Sequence, residues 1–211
     1  MKDYANRNIQ DEVNKKINSL DRVRNNRIYA SERLYQYSSH WEFLFFLMNV
    51  VAVVLLIMSL GKITNGSEDE IVISSIFSIY TILVQYYTIT LNYNERALKL
   101  HYEQLEIEDC ILNLKTILRK FNEEQINIEQ INIEQMESSY TEVMRVYQTS
   151  LKGAENHSEI DDLMQKHIIE KSLSKRPYDF SVDNGFIYFN YLLVILILTY
   201  PELFIPPQIL I

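Results

Sequence analysis

The chain has 211 residues, room for one or two domains, with only four glycines and four prolines. Typical usage of roughly seven and five per cent would give several times as many, so turn-rich β architecture and glycine-lined phosphate loops are disfavoured and helices are favoured. The net charge of −8 argues against duplex nucleic acid as a partner, because that affinity rests on neutralising phosphates; the single cysteine, Cys110, excludes an internal disulfide framework.

The charge is unevenly placed. Residues 1–40 carry eight Lys/Arg against five Asp/Glu, and residues 94–185 carry eleven against eighteen. Residues 1–40 read as a basic cytoplasmic N-terminal helix. Arg27, Ala30, Arg33, Leu34 and Tyr37 are three or four apart and share one helix face. Arg27 and Arg33 suit lipid phosphates or the anchoring of orientation at the membrane edge, where Trp41 opens the next segment.

Residues 41–93 are expected to form a transmembrane hairpin with spans at about 41–60 and 71–91. The run WEFLFFLMNVVAVVLLIMSL is twenty residues long, and as a helix it rises about 30 Å, the thickness of a bilayer core. Its polar residues are Glu42, Asn49 and Ser59. It lies too far from the N-terminus for a signal peptide and lacks a small-residue cleavage site. The second run, IVISSIFSIYTILVQYYTITL, carries no charge. Core helices of a soluble protein are the competing reading. Lys and Arg near the spans set orientation. Arg22, Arg24, Arg27 and Arg33 precede the first span, Arg96 and Lys99 follow the second, and the connection GKITNGSEDE is acidic. The N-terminus and residues 94–185 are therefore expected in the cytoplasm and the C-terminus outside, with Arg27, Arg33, Trp41, Arg96 and Lys99 as interface anchors.

Within the second span, Ser74, Ser78, Thr81, Gln85, Thr88 and Asn92 are spaced 4, 3, 4, 3 and 4, which puts all six on one stripe of a helix. Polar groups inside a bilayer turn toward other helices or water. Two readings stand. The stripe packs the spans against one another, or several copies turn it toward a shared axis and it lines a conduit.

Residues 94–172 form the expected cytoplasmic helical region; if Asn94–Lys99 is continuous helix, a twist of that region turns the polar stripe directly, and a break there makes the coupling untenable. Leu100, Ile107, Leu114 and Phe121 recur every seven residues, with Ala97, Ile111 and Leu118 interleaved, giving a coiled-coil-like seam that needs a partner within the chain or from another copy. The tract EQINIEQINIEQ repeats every five residues, a period that lines no single helix face. The long helix is expected to break near it, with Asn122 and Gln125 as a capping box. Met136, Tyr140, Val143 and Tyr147 resume a seam. Gly153 ends a helix, Asn156 or Ser158 caps the next, and Ile160, Leu163, Met164, His167 and Ile168 give that helix its apolar face. Residues 173–185 are a linker with Pro177 as a stop signal, 186–205 a third span and 206–211 a tail.

No chemistry-bearing set emerges. His40, His101, His157 and His167 have no zinc-ligand spacing, and no phosphate-loop, dinucleotide, nucleophile-elbow or HExxH motif occurs. His101 with Glu103 and Glu106 reads as a solvated face, and His157 as a turn residue whose acidic neighbours give weak support for a divalent ion. No catalytic residue, metal or cofactor is assigned.

The layout resembles the SLATT domain, a bacterial two-span effector module. RNNRIYASERLYQYSSHWEFLFFLMNVV places Arg27, Ala30, Arg33 and Leu34 directly before the first span, and LNYNERALKLHYEQL places Arg96, Ala97 and His101 after the second. YQTSLKGAENHSEIDD is similar to a Tyr–Leu–Asn-His–Asp pattern of some members, here Tyr147, Leu151, Asn156, His157 and Asp161 or Asp162. The third segment lies outside the basic two-span plan and marks a subgroup. The resemblance implies an all-α, multi-pass protein of the bacterial inner membrane: a transmembrane hairpin continuing into long cytoplasmic helices, plus a C-terminal span. It further implies a homo-oligomeric, non-enzymatic effector of antiphage defence that permeabilises the membrane in abortive infection. Its partner would be a cytoplasmic sensor, a nucleotide-second-messenger synthase or a reverse transcriptase. The alternative is a membrane scaffold that anchors or restrains a cytoplasmic enzyme.

Overall fold

The computed structural model describes residues 8–61, 68–126 and 133–199. All of the ordered elements among them are helices: α1 (Ile9–Leu60), α2 (Glu68–Leu91), α3 (Tyr93–Ile126), α4 (Ile133–Ser150), α5 (Glu159–Ile168) and α6 (Val182–Thr199). The chain meets its first glycine at Gly61 and its first proline at Pro177. Nothing therefore interrupts α1 for 52 residues, and it stops where Gly61 N–H donates to the Ile57 carbonyl at 2.8 Å. Much of the five-residue repeat, most of the connection between α1 and α2, and the C-terminal tail lie outside the described residues.

The chain divides into two compact units. One comprises residues 1–33 and 96–178, the other 34–95 and 179–211. In the first, Val13, Ile17 and Leu20 of α1 pack with Ile107, Cys110, Ile111, Leu114 and Phe121 of α3 and Met136 of α4. Tyr140, Val143 and Tyr147 close over them. Each fully buried aliphatic side chain contributes about 1.5–3 kcal/mol. The heptad seam of α3 thus finds its partner inside the chain, in the N-terminal helix. α3 continues through Asn122 to Ile126, so no capping box opens there; Asn122 Oδ1 instead accepts from Gln10 Nε2 at 2.8 Å.

In the second unit, Leu44, Met48 and Val51 of α1, Phe77 and Val84 of α2, and Ile187, Val194 and Ile197 of α6 are buried. Trp41 stacks on Phe45 and lies against Phe186 with ring centroids 5.3 Å apart. Outside, Phe46, Ile57, Ile82, Leu83, Ile89, Leu192 and Leu198 are exposed, an apolar surface far beyond what water tolerates. Among the described residues, three helices are long and apolar enough to cross a bilayer. The chain is an all-α membrane protein.

The sequence carried the second span's helix onward through Asn92. The structure breaks it there. α2 ends at Leu91 and α3 starts at Tyr93, with Asn92 at φ 47°. Asparagine is among the few side chains that adopt the left-handed region at low cost. Asn94–Lys99 is continuous helix, but it belongs to α3.

Candidate functional site

The polar row of α2 points into its own unit. Ser74, Thr81 and Thr88 are buried, Thr81 to 1 % exposure, while Ser78 and Gln85 are half-buried. The hydroxyls bond one turn back along their own helix. Ser78 donates to Ser74 O at 2.8 Å, Thr81 to Phe77 O at 2.9 Å and Thr88 to Val84 O at 2.9 Å, and Ser74 reaches Ile71 O at 3.0 Å. Each hydroxyl proton is thereby satisfied without a neighbouring span, and the row presents small, satisfied groups at a helix contact. Asn92, counted as its sixth member, is exposed and outside the helix. A polar bond between helices of this unit lies elsewhere. Tyr80 Oη donates to Asn190 Oδ1 at 2.8 Å, and Asn190 Nδ2 donates to Phe186 O at 2.8 Å. Asn190 is completely buried. Asn190 is a lone amide between Phe189 and Tyr191 in the apolar run of α6, a signal the sequence carries, but the partner on α2 is not visible in sequence.

The expected interface anchors fall differently. Trp41 is buried against Phe186. Arg27 is buried and pairs with Glu103, itself buried on α3. It also donates to the Glu155 carbonyl at 3.3 Å. The expectation of a solvated Glu103 is overturned by this pair. Residues 27 and 103 face each other across α1 and α3, and a carboxylate beside a buried guanidinium loses its water. Burial pushes the Glu103 carboxyl above the usual carboxylate range, although Arg27 pulls the other way. Arg33 makes a two-pronged bond to Asp161, Nε at 2.9 Å and one Nη at 3.0 Å, and reaches Ser158 Oγ at 2.9 Å. Arg96 pairs with Glu155, and Lys99 donates to Gly153 O at 3.2 Å. Among the five expected anchors, all four cations have protein partners.

These bonds gather on the turn between α4 and α5. Gly153 takes φ 81°, as a left-handed position requires. Ser158 caps α5, its N–H donating to Asp161 Oδ2 at 2.8 Å. Asp161 and Gln165 are the buried residues of α5, while Ile168 is exposed. Of the apolar face expected for α5, Ile160, Leu163, Met164 and His167 are half-buried, and the most deeply buried position is instead the polar Asp161, which meets Arg33. His157 Nε2 lies 3.1 Å from Asn26 Nδ2, which gives it a protein partner; among the described residues no three His, Cys, Asp or Glu side chains could hold a metal ion.

The carboxylates of this cluster titrate in opposite senses. Hydrogen bonds from Lys166 and then Arg22 hold Asp162 well below the usual carboxylate range, and Arg96 lowers Glu155. For a lowered carboxyl, stability is present above its unfolded pKa and lost as pH falls through the folded value. Glu103, raised by burial, adds stability below its unfolded pKa that is lost as pH rises through the folded one. Protection of α5 amides from hydrogen exchange is expected to fall as pH drops below about 4, the ordinary carboxylate range, with Asp162→Asn flattening that dependence. Between α3 and α4 a cavity of about 460 Å³ is lined by Glu106, Asp109 and Glu142 beside Val143, Val146 and Tyr147; its carboxylates repel an anionic nucleotide.

The arrangement, three apolar helices joined to arginine–carboxylate-clasped helices, is matched over residues 9–210 by the SMODS and SLOG-associating 2TM effector domain family 5. The chain belongs to this SLATT_5 family. The comparison with curated proteins and that with solved structures each found no match. The SLATT_5 match runs past Thr199, so α6 lies inside the family-5 region and is not an appendage to it. SLATT_5 is a family of transmembrane effector domains, and its description associates it with SMODS and SLOG.

Proposed function

We propose that this SLATT_5 chain is a membrane-permeabilising effector of a bacterial antiphage defence system. In this reading it sits in the inner membrane with its N-terminus and residues 94–185 in the cytoplasm. It answers a cytoplasmic sensor, a nucleotide-second-messenger synthase or a reverse transcriptase, and arrests the infected cell. The observation that carries the reading is the polar row of α2 within an apolar, effector-family membrane unit. A row that only faced lipid would have no reason to be polar. In the state described, Ser74, Thr81 and Thr88 are shut inside the unit. Permeation then requires several copies to rearrange so that α2 turns this row, with Gln85 and Thr81 at mid-span, toward a shared axis. The same burial favours a second reading, in which the row only packs the spans of a scaffold that anchors or restrains a cytoplasmic enzyme.

A voltage-sensitive dye separates the two. Co-expression with the partner and its trigger is expected to collapse membrane potential. The pair Thr81→Val and Gln85→Leu is expected to abolish the leak and leave membrane insertion intact; valine keeps the shape of threonine while removing its hydroxyl. Unchanged leakage in the double variant removes the row from the mechanism. Intact potential in the triggered parent chain leaves the scaffold.

A further inference from the structure

The inward α2 row leaves another polar group in the membrane unit without such shelter. Asn49 of α1 is exposed. It stands eight residues after Trp41 and eleven before Leu60, which at 1.5 Å per residue puts it ~12 Å and ~16 Å from the ends of the span, near the bilayer centre. Its neighbours on that side, Phe46, Val50 and Val53, are exposed as well. The face they form runs Glu42, Phe46, Asn49, Val53, Leu56 and Leu60, spaced 4, 3, 4, 3 and 4, all exposed. The buried seam of the same helix, Trp41, Leu44, Met48 and Val51, lies on a different side.

Lipid can cover the apolar members of the outer face. It cannot satisfy Asn49. The side chain makes one hydrogen bond among the described residues, Nδ2 donating to Phe45 O at 2.8 Å. One amide N–H and the carbonyl oxygen remain, in a medium with no water to take them. Glu42, one heptad earlier beside Trp41, is near the membrane edge, where water reaches a carboxylate. Asn49 has no such escape.

We infer that the Asn49 face of α1 is where a second copy of this chain docks, with the two mid-bilayer carboxamides hydrogen-bonded to each other. The carboxamide is its own complement, offering a donor and an acceptor. Copies of one chain insert with one orientation, so a contact about a twofold axis along the membrane normal brings each residue opposite its equivalent at the same depth. Asn49 of the second copy is then the polar group placed to meet Asn49 of the first. The 3–4 spacing of the face suits left-handed helix packing, and a single polar residue at such a seam fixes register and copy number. The inference concerns association in the membrane and does not rest on a leak.

The full chain in bilayers tests it in two ways. Under oxidising conditions, Asn49→Cys and Val53→Cys are expected to form cross-linked dimers. Ile82→Cys on α2 and Phe189→Cys on α6, also exposed, are expected to form none, and the parent chain, whose Cys110 is buried, is the blank. By single-molecule photobleaching, Asn49→Leu is expected to dissociate about threefold to twentyfold more readily, the range of inter-helix hydrogen bonds in membranes, while Asn49→Gln keeps the dimer. Cross-links that favour α2 or α6, or an Asn49→Leu chain that associates as tightly as the parent, overturn the assignment. A chain that dimerises through Asn49 and never depolarises a membrane leaves this surface standing and removes only the permeabilising function.

Discussion

Replacing Arg27 with alanine is expected to destabilise the residue 1–33 and 96–178 unit by about 3–5 kcal/mol, the usual cost of breaking a buried ion pair from one side. Arg27 and Glu103 are both almost fully buried, their side chains 6 % and 8 % exposed. The variant strands the Glu103 carboxylate where water does not reach, and also loses the bond to the Glu155 carbonyl. Denaturant unfolding of the full chain in nanodiscs, followed by hydrogen exchange of α3 and α4 amides, reads the loss. Two comparisons test the cause. Arg27→Met combined with Glu103→Leu is expected to recover most of the stability, because no charge remains to desolvate. The defect of Arg27→Ala is also expected to shrink in acid. Glu103 already sits above the usual carboxylate range, and without Arg27 to hold it down its folded pKa rises further. Its protonated form is the one the variant tolerates, so the variant is least impaired at low pH and worsens as pH rises through that value. Should Arg27→Ala impair membrane insertion and leave α3 protection untouched, the anchoring role first expected of it would hold instead.

The fold was largely legible because apolar spacing is a local property. Ala97, Leu100, Ile107, Ile111 and Leu114 are buried as their spacing predicts, and so are Ala30, Leu34 and Tyr37 on the N-terminal face. The face containing Arg27 and Arg33 was therefore visible. Its meaning was not. An arginine two to four turns before an apolar run satisfies the rules for a membrane anchor, and only tertiary structure reveals a carboxylate 76 or 128 residues away. Glu103 looked solvated for the same reason, since its partner lies on another helix. The six-residue stripe was correct in spacing up to Thr88. It failed at Asn92, where one left-handed residue turns the chain out of the helix; the sequence offers an asparagine there and nothing that compels the turn. Which way the stripe faces depends on how α1 and α6 pack around α2, and periodicity within α2 carries no information about that. The same ignorance hid Asn49, a single polar residue in an oily run whose importance lies in pointing outward.

Asp161→Ala is the second large effect expected, about 3–5 kcal/mol from the buried charge pair together with about 1 kcal/mol for the lost helix cap. Asp161 is 1 % exposed and accepts from four donor groups: Arg33 Nε, Arg33 Nη2, the Ser158 N–H and the Ser158 hydroxyl. One carboxylate thereby starts α5 and ties it to α1 within the same unit. Alanine removes all four bonds and leaves the Ser158 N–H at the helix start without its acceptor. Asparagine keeps the shape and one acceptor oxygen but surrenders the charge and the two-pronged geometry that guanidinium needs, so Asp161→Asn is expected to fall between parent and alanine. Arg33→Ala is expected to cost less than Asp161→Ala, because Asp161 then retains both bonds from Ser158. Arg33→Lys should recover little, since a point-charge ammonium cannot replace a planar fork. Hydrogen exchange at residues 159–168 measures each variant against membrane insertion scored in parallel. If α5 protection survives Asp161→Ala, the pair with Arg33 contributes nothing to the unit and the cluster is incidental. If protection collapses while insertion is unchanged, Arg33 belongs to the clasp on α5 and has no essential part in anchoring the first span.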